Sequence, residues 1–343
     1  MKPESPYNIS EQVYRVLEWE SIISRLESGC SSIPGKDYVK TLSPLQAHEV
    51  RVQMTKLQQM LELYRKGHAF DLGGFSDSNS FLARSERSGN LSIEELAMVK
   101  KSLLAASRAI QFTREHEEDI PSLQEEINRV YPLDNLRETL VKAITDQDEL
   151  NENNFPALKK IRQSIFSLRK DIEKKLTVIL NSPDMSQVLQ ERVHSMRNDR
   201  YVILVKASMR SRLRGTVHDT SSTGATLYLE PESIADTNNQ LVLKRVEYQR
   251  ELERILQVLT AEVAQHADEL RQNQHVLAYI DFLNAGAKMG ARMKASMPVI
   301  TDNPCVHLIQ ARHPILALMQ PDEVVPGDIT LGEDYNCLII SGV

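Results

Sequence analysis

The chain has 343 residues, of which 41% are apolar, 26% charged and 5% aromatic, with a formal net charge of −6. That length exceeds one ordinary hydrophobic core and predicts two or three domains. The scarcity of aromatics, Gly and Pro disfavours a β-sandwich, and the slightly acidic total confines any basic surface to a local patch.

Cys30, Cys305 and Cys337 are odd in number and lack metal-ligand spacing, which predicts reduced thiols in a cytoplasmic protein. No metal site and no catalytic residue is expected. The opening "MKPESPYNISEQ" carries no apolar run, so no signal peptide is predicted. No window approaches the roughly 18 apolar residues of a membrane span, so no membrane partner is expected.

In chain order, the spacing of Val13, Val16, Leu17, Ile22, Ile23 and Leu26 predicts one helix over 10–27, ended by "GCSSIPG". A second helix is predicted over 45–66, with Val50, Met54, Leu57, Leu61 and Tyr64 inward. "FDLGGFSDSN" reads as loop. "LSIEEL" holds a capping box, Ser92 with Glu95, stapled by Leu91 and Leu96, and opens a helix to about residue 116. Short helices fill 121–148. These and 273–298 form a predicted helical core, 1–150 and 273–298.

From Asn153 the pattern changes. Phe155, Leu158, Ile161, Ile165, Leu168, Ile172, Leu176 and Ile179 recur by threes and fours among charged residues. A second seam runs Leu241, Arg245, Tyr248, Leu252, Ile255, Leu259, Val263, His266 and Leu270. Two seams around a compact insert predict an antiparallel coiled-coil lever, 151–187 and 237–272, some 35 residues or about 50 Å long. Two ordinary bundle helices would give the same spacing.

The insert, 188–236, is the β-rich part. "RYVILVKA", "GTVHD" and "ATLYLEP" read as strands, the last two joined by "TSSTG", whose Gly224 suits a hairpin turn. Seven basic residues, Arg192, Arg197, Arg200, Lys206, Arg210, Arg212 and Arg214, face two acids between Glu191 and Arg214. Clustered Lys and Arg displace the counterions of a phosphate backbone, so Arg197, Arg200, Lys206, Arg210, Arg212 and Arg214 are candidate nucleic-acid contacts. A solvated face would also be basic. With no exposed aromatics for stacking, backbone contact with little base reading is expected. His218-Asp219 with Ser221 or Ser222 has triad residue types, but neighbours on one strand cannot converge; Asp219 is expected to cap the hairpin.

The last forty residues change again. "VHLIQARHPIL" and "CLIISG" read as short strands opening an α/β domain over 299–343. An apolar strand running into Ser-Gly is how a phosphate-binding loop begins.

Together these stretches resemble the MutS family, in particular its second bacterial branch. "VLEWESIISRLESGCSSIPGKDYVKTLSP", "GNLSIEELAMVKKSL" and above all "RNDRYVILVKASMRSRLRGTVHDTSSTGATLYLEPESIADTNNQL" carry the likeness, and "ARHPIL" with "VVPGDITLGEDYNCLIISG" resembles the opening of the family's ATPase domain. The resemblance implies a mainly α fold with a small β insert: helical core, coiled-coil lever, β-rich clamp at its tip, then an ABC-type ATPase that is cut before its Walker A loop. It implies no mismatch-reading N-terminal domain. It further implies DNA, branched, duplex or mismatched, as partner in recombination control or repair, or ribosomal RNA in rescue of collided ribosomes. ATP, Mg²⁺, a homodimer and a C-terminal nuclease domain are implied for the intact protein, with Val324 and Val325 on the adenine side. This span itself is expected to need no cofactor. A coiled-coil interaction protein without nucleic acid is the rival reading.

Overall fold

The computed structural model describes residues 9–87, 89–320 and 322–339. It is mainly helical, with two small antiparallel sheets. Two compact units emerge, one of Met1–Val141 with Thr260–Val343, the other of Lys142–Leu259.

The first unit opens with α1 (Glu11–Val16) and α2 (Trp19–Gly29). The single helix expected over 10–27 is therefore two. Glu18 between them sits at φ 50°, a left-handed conformation no helix interior tolerates, and Val13, Val16 and Leu17 are exposed rather than inward. "SSIPG" does not merely end α2. It starts α3 (Ile33–Lys40): Ser32 is the N-cap, accepting from Gly35 N at 3.0 Å, and Pro34 lies in the first turn, where its missing amide costs nothing. α4 (Ala47–Arg65) and α5 (Asn79–Ser85) follow. α6 (Ile93–Glu115) has the expected reciprocal cap, Glu95 N to Ser92 Oγ at 3.2 Å and Ser92 N to Glu95 Oε2 at 2.9 Å, with Leu91 and Leu96 buried beside it. α7 (Gln124–Ile127) and α8 (Asp134–Ala143) are the short helices expected beyond it.

In the second unit α9 (Pro156–Asn181) buries Leu158, Ile161, Ile172, Leu176 and Leu180. Its 26 residues make a helix of about 39 Å, shorter than expected because Pro156 starts it and Pro183 follows its end. Then come β1 (Leu189–Arg197), β2 (Arg200–Lys206), β3 (Gly215–Thr220) and β4 (Thr226–Pro231), in the antiparallel order β1-β2-β4-β3. Sequence reading missed β1. All of its residues from Gln190 to His194 are exposed, so the alternation that betrays a half-buried strand is absent. β1 turns into β2 through Asn198 and Asp199, both at positive φ, as a two-residue hairpin turn requires.

α10 (Glu232–Gln265) leads out of the sheet. Lys175 Nζ donates to Thr237 Oγ1 at 3.1 Å, and the Tyr248 hydroxyl donates to Glu152, just before α9, at 2.7 Å. Within this unit α9 and α10 therefore run in opposite senses. Ile172, Leu176 and Leu180 share one core with Tyr201, Ile203 and Val205 of β2, Leu229 of β4, and Ile234 and Leu241 of α10. Each such side chain contributes roughly 1.5–3 kcal/mol when withdrawn from water. The β insert is thereby fixed to the helices that carry it.

α11 (Ala267–Arg292) is the central helix of the first unit, with Val276, Leu277, Ala278, Tyr279, Ile280, Leu283 and Ala287 all buried. A helix apolar around most of its girth must be surrounded, and α2, α3 and α4 pack on it. Inside that surface lies Asp281, fully buried. Its Oδ1 accepts from Ser31 N (3.0 Å) and Oγ (2.8 Å), its Oδ2 from Ser32 N (2.9 Å) and Oγ (2.6 Å). A Cβ on Gly35 would stand 2.2 Å from Asp281 Oδ2, so only glycine lets α3 approach this closely.

The chain closes with β5 (Val306–Ala311), α12 (Pro314–Met319) and β6 (Gly327–Leu331), β5 and β6 forming an antiparallel ribbon. The strand expected at "CLIISG" is not formed over Cys337–Ile339, and its remainder, with the Ser-Gly of the supposed phosphate loop, lies outside the described residues.

Candidate nucleic-acid interface

The basic residues of the β insert divide by what they touch. Arg200 is committed inward. Its Nη1 lies 2.9 and 3.1 Å from the two oxygens of Glu230, and its Nη2 donates to Asn239 Oδ1 at 2.6 Å. Glu230 is 2% exposed, so its charge needs partners. It has three: Arg200, Asn238 Nδ2 at 2.7 Å and His218 Nε2 at 2.5 Å. His218 reaches it because the β3 register shifts between Val217 and Asp219, a bulge that re-aims the side chain. The His-Asp pair is thus divided between two structural tasks. Asp219 pairs with Arg197 Nε at 3.3 Å and accepts from Thr220 N at 2.8 Å, whereas Ser221 Oγ, accepting from Thr226 N at 3.0 Å, ties the hairpin ends.

Asn238 does a second job. Its side-chain amide bonds both Tyr201 N (3.2 Å) and Tyr201 O (3.0 Å). Continuing the β2–β4 register, in which Ile203 pairs Leu229, sets Tyr201 opposite Pro231. Proline has no amide to offer the ladder, and Asn238 fills the place. The Tyr201 hydroxyl in turn accepts from Arg169 Nε at 3.1 Å, which pushes the guanidinium pKa further up.

Arg197 lies with its guanidinium carbon 4.0 Å from the Tyr228 ring centre, besides its ion pair with Asp219. Arg210 donates to two backbone carbonyls, Leu213 O at 3.0 Å and Gly215 O at 2.7 Å. Three of the six candidate contacts, Arg197, Arg200 and Arg210, are therefore occupied within the fold. Lys206, Arg212 and Arg214, together with Arg192, make no side-chain ion pair or hydrogen bond among the described residues, and the three arginines are exposed. Asp199, one of the two nearby acids, is taken by Arg245 at 3.2 Å. With Glu191 the one remaining acid of the stretch, positive charge is left over on the β insert.

A second feature of the same unit is an open cleft of about 490 Å³ lined by Thr145, Glu152, Lys159, Arg162 and Phe166, among others. Its cations are engaged, Arg162 with Glu152 at 2.8 Å and Lys159 with Asn153 at 2.9 Å. Burial, reinforced by the bond to Glu152, pushes the Tyr248 phenol up to about 12.

Val324 and Val325 belong to the other unit, in the irregular stretch before β6; Val324 is half-buried and Val325 exposed. Among the described residues no three His, Cys, Asp or Glu side chains gather as a metal site, and no helix is long and apolar enough to cross a membrane.

The likeness carried by the insert extends along the chain. "Endonuclease MutS2" of Geobacillus sp. (strain WCH70) is 36% identical over 337 residues, 96% of this chain and 42% of its own length. "Endonuclease MutS2" of Alkaliphilus oremlandii is 34% identical over 341 residues (97% and 42%), and that of Halalkalibacterium halodurans 35% over 338 (97% and 42%). The chain is homologous to the bacterial MutS2 proteins. No family model matches it. It spans about two fifths of the length of these curated MutS2 relatives.

What sequence reading missed here was partnership. Glu230 just before a strand-ending proline, and Asn238-Asn239 two helical turns later, were the available signals; a buried acid needs charged or hydrogen-bonding partners, and here β2 supplies Arg200, β3 supplies His218 and α10 supplies Asn238.

Proposed function

We propose that this chain is the nucleic-acid-clamping part of a MutS2-like ATPase that acts on branched or mismatched DNA in recombination control or repair. One observation carries the reading: the β insert retains exposed cations, Arg192, Arg212 and Arg214 with the half-buried Lys206, that the fold itself does not use. Homology to the endonuclease MutS2 proteins of Geobacillus sp. and Alkaliphilus oremlandii supports it. In this reading 188–236 is the clamp, 151–187 and 237–272 the lever, 1–150 with 273–298 the core, and 299–343 the start of the ATPase domain. The whole protein is cytoplasmic, homodimeric and uses ATP with Mg²⁺, with Val324 and Val325 beside the adenine.

The test is a titration of a labelled duplex, a four-way junction and an RNA duplex of equal length at several salt concentrations. Backbone gripping makes log affinity fall linearly with log salt, by about 0.9 per neutralised phosphate on duplex DNA. Arg192, Lys206, Arg212 and Arg214 all changed to Ala should flatten that line on every sequence alike. A salt-independent affinity, or an unchanged slope in this variant, defeats the reading. Preference for the RNA duplex over both DNA forms would move the target to ribosomal RNA.

A further inference from the structure

The segment between β2 and β3 is held more firmly than a surface loop needs. Ala207–Arg212 forms a short 3₁₀ helix, and Leu213 follows in extended conformation, φ −130° and ψ 125°. Met209 and Leu213 pack their side chains against the core beneath the sheet. The Arg210 fork closes on the carbonyls of Leu213 and Gly215. Arg214 O accepts from Glu232 N at 3.1 Å, and a Cβ on Gly215 would meet Glu230 O at 2.1 Å, so that end is locked against β4.

The consequence for the two exposed arginines is geometric. Leu213 packs on the core, whereas its two neighbours, Arg212 at the end of the 3₁₀ helix and Arg214 just before β3, are both exposed. Two residues of extended chain separate their stems by about 6.5 Å, which is comparable to the separation of neighbouring phosphates along one nucleic-acid strand. Both are exposed and neither makes a side-chain hydrogen bond or ion pair among the described residues. Their backbone is ordered before any ligand arrives, so binding does not have to offset the ordering of that stretch.

Resting on the reading of this surface as a phosphate-backbone contact, we infer that Arg212 and Arg214 form a fixed clip for two consecutive phosphates, and that Arg210 is a positioning residue which touches no phosphate. A guanidinium suits that task because its planar fork can serve two carbonyls at once; a lysine in its place keeps the charge and loses the fork.

The experiment compares salt slopes for the 343-residue chain on one duplex DNA. R212A and R214A should each flatten the slope by about 0.9, and the double variant by about 1.8. R210A and R210K should both weaken binding in the wild-type background. In the R212A/R214A background neither should change affinity or slope further, since a positioning residue acts only through what it positions. Unchanged circular dichroism and melting midpoint show that each variant is folded. If R210A takes a further ~0.9 off the slope in that background, or R210K binds as wild type does, or R210A alone is without effect, the positioning role is overturned. If R212A/R214A keeps the wild-type slope, the clip is overturned. In that event R192A/K206A decides the broader question: a flattened slope preserves the phosphate contact at this surface, and an unchanged one removes both. Absence of salt-dependent binding by the wild-type chain also removes both.

Discussion

Each unit of this molecule buries a carboxylate, and the two solve the problem differently. Asp281 in α11 is surrounded by uncharged donors, four of them, from two adjacent serines. Glu230 in β4 is met by a guanidinium, an imidazole and an amide. The first arrangement keeps its serines 250 residues away in sequence, so it ties the N-terminal helices to the central one. The second draws its partners from β2, β3 and α10, so it ties a sheet together. The second also consumes a cation that a count of basic residues would assign to the surface. A buried charge can be stabilised by hydrogen bonds alone or by an opposite charge, and which is used decides how much charge the exterior keeps.

Removing Glu230 should do the greatest damage. Glu230→Ala leaves Arg200 and His218 facing a buried gap, and losing one partner of a buried pair costs roughly 3–5 kcal/mol. Limited proteolysis should then cut within 188–231 while fragments of the first unit persist. Asp281→Ala removes one acceptor group and leaves the serine donors of the α3 cap unpaired, a loss of about 2–3 kcal/mol. Denaturant melts should register it, and early cleavage should appear near residues 30–40. Arg200→Lys keeps the charge on Glu230 but gives up the fork that also holds Asn239, for about 1 kcal/mol. If its stability equalled that of Glu230→Ala, the planar geometry rather than the charge would be what Glu230 requires.

A further difference between the two sites appears only at alkaline pH. Burial first, and the Asp281 charge second, push the Cys30 thiol from 9.0 up to about 12. Below pH 9 the thiol is protonated in folded and unfolded chain alike, and the full stability is present. Between pH 9 and about 12 only the unfolded chain releases the proton, so stability falls as pH rises. Tyr38 and Tyr279, raised by burial, act in the same sense. Cys30→Ser should make the alkaline decline shallower. A thiol reagent at pH 8 should modify exposed Cys337 and spare Cys30; equal labelling would mean that the neighbourhood of Asp281 opens readily.

The helices legible in the sequence were those with a local signature. The Ser92–Glu95 cap lies within four residues, and the α9 seam repeats over 25. The three strands read from β-branched runs also stand where expected, with Gly224 at φ 71° in their turn. The break at Glu18 left no mark because the apolar spacing runs on across it. β1 was hidden by its exposure. The roles of the arginines were hidden for another reason. Arg197, Arg200 and Arg210 differ from Arg212 and Arg214 only in their partners, and those partners come from strand register, a bulge and a turn of backbone that no count of charges contains.

Asn238 and Pro231 have one more implication. The proline ends the β4 ladder, and the amide seven residues later completes it. The two positions are coupled through one rung of the ladder. A lineage that replaced the proline by a residue with an N–H would release the asparagine from its duty to Tyr201, and one that lost the asparagine first would leave a bare rung inside the fold. Drift through this part of the chain should therefore be ordered, the proline moving before the asparagine.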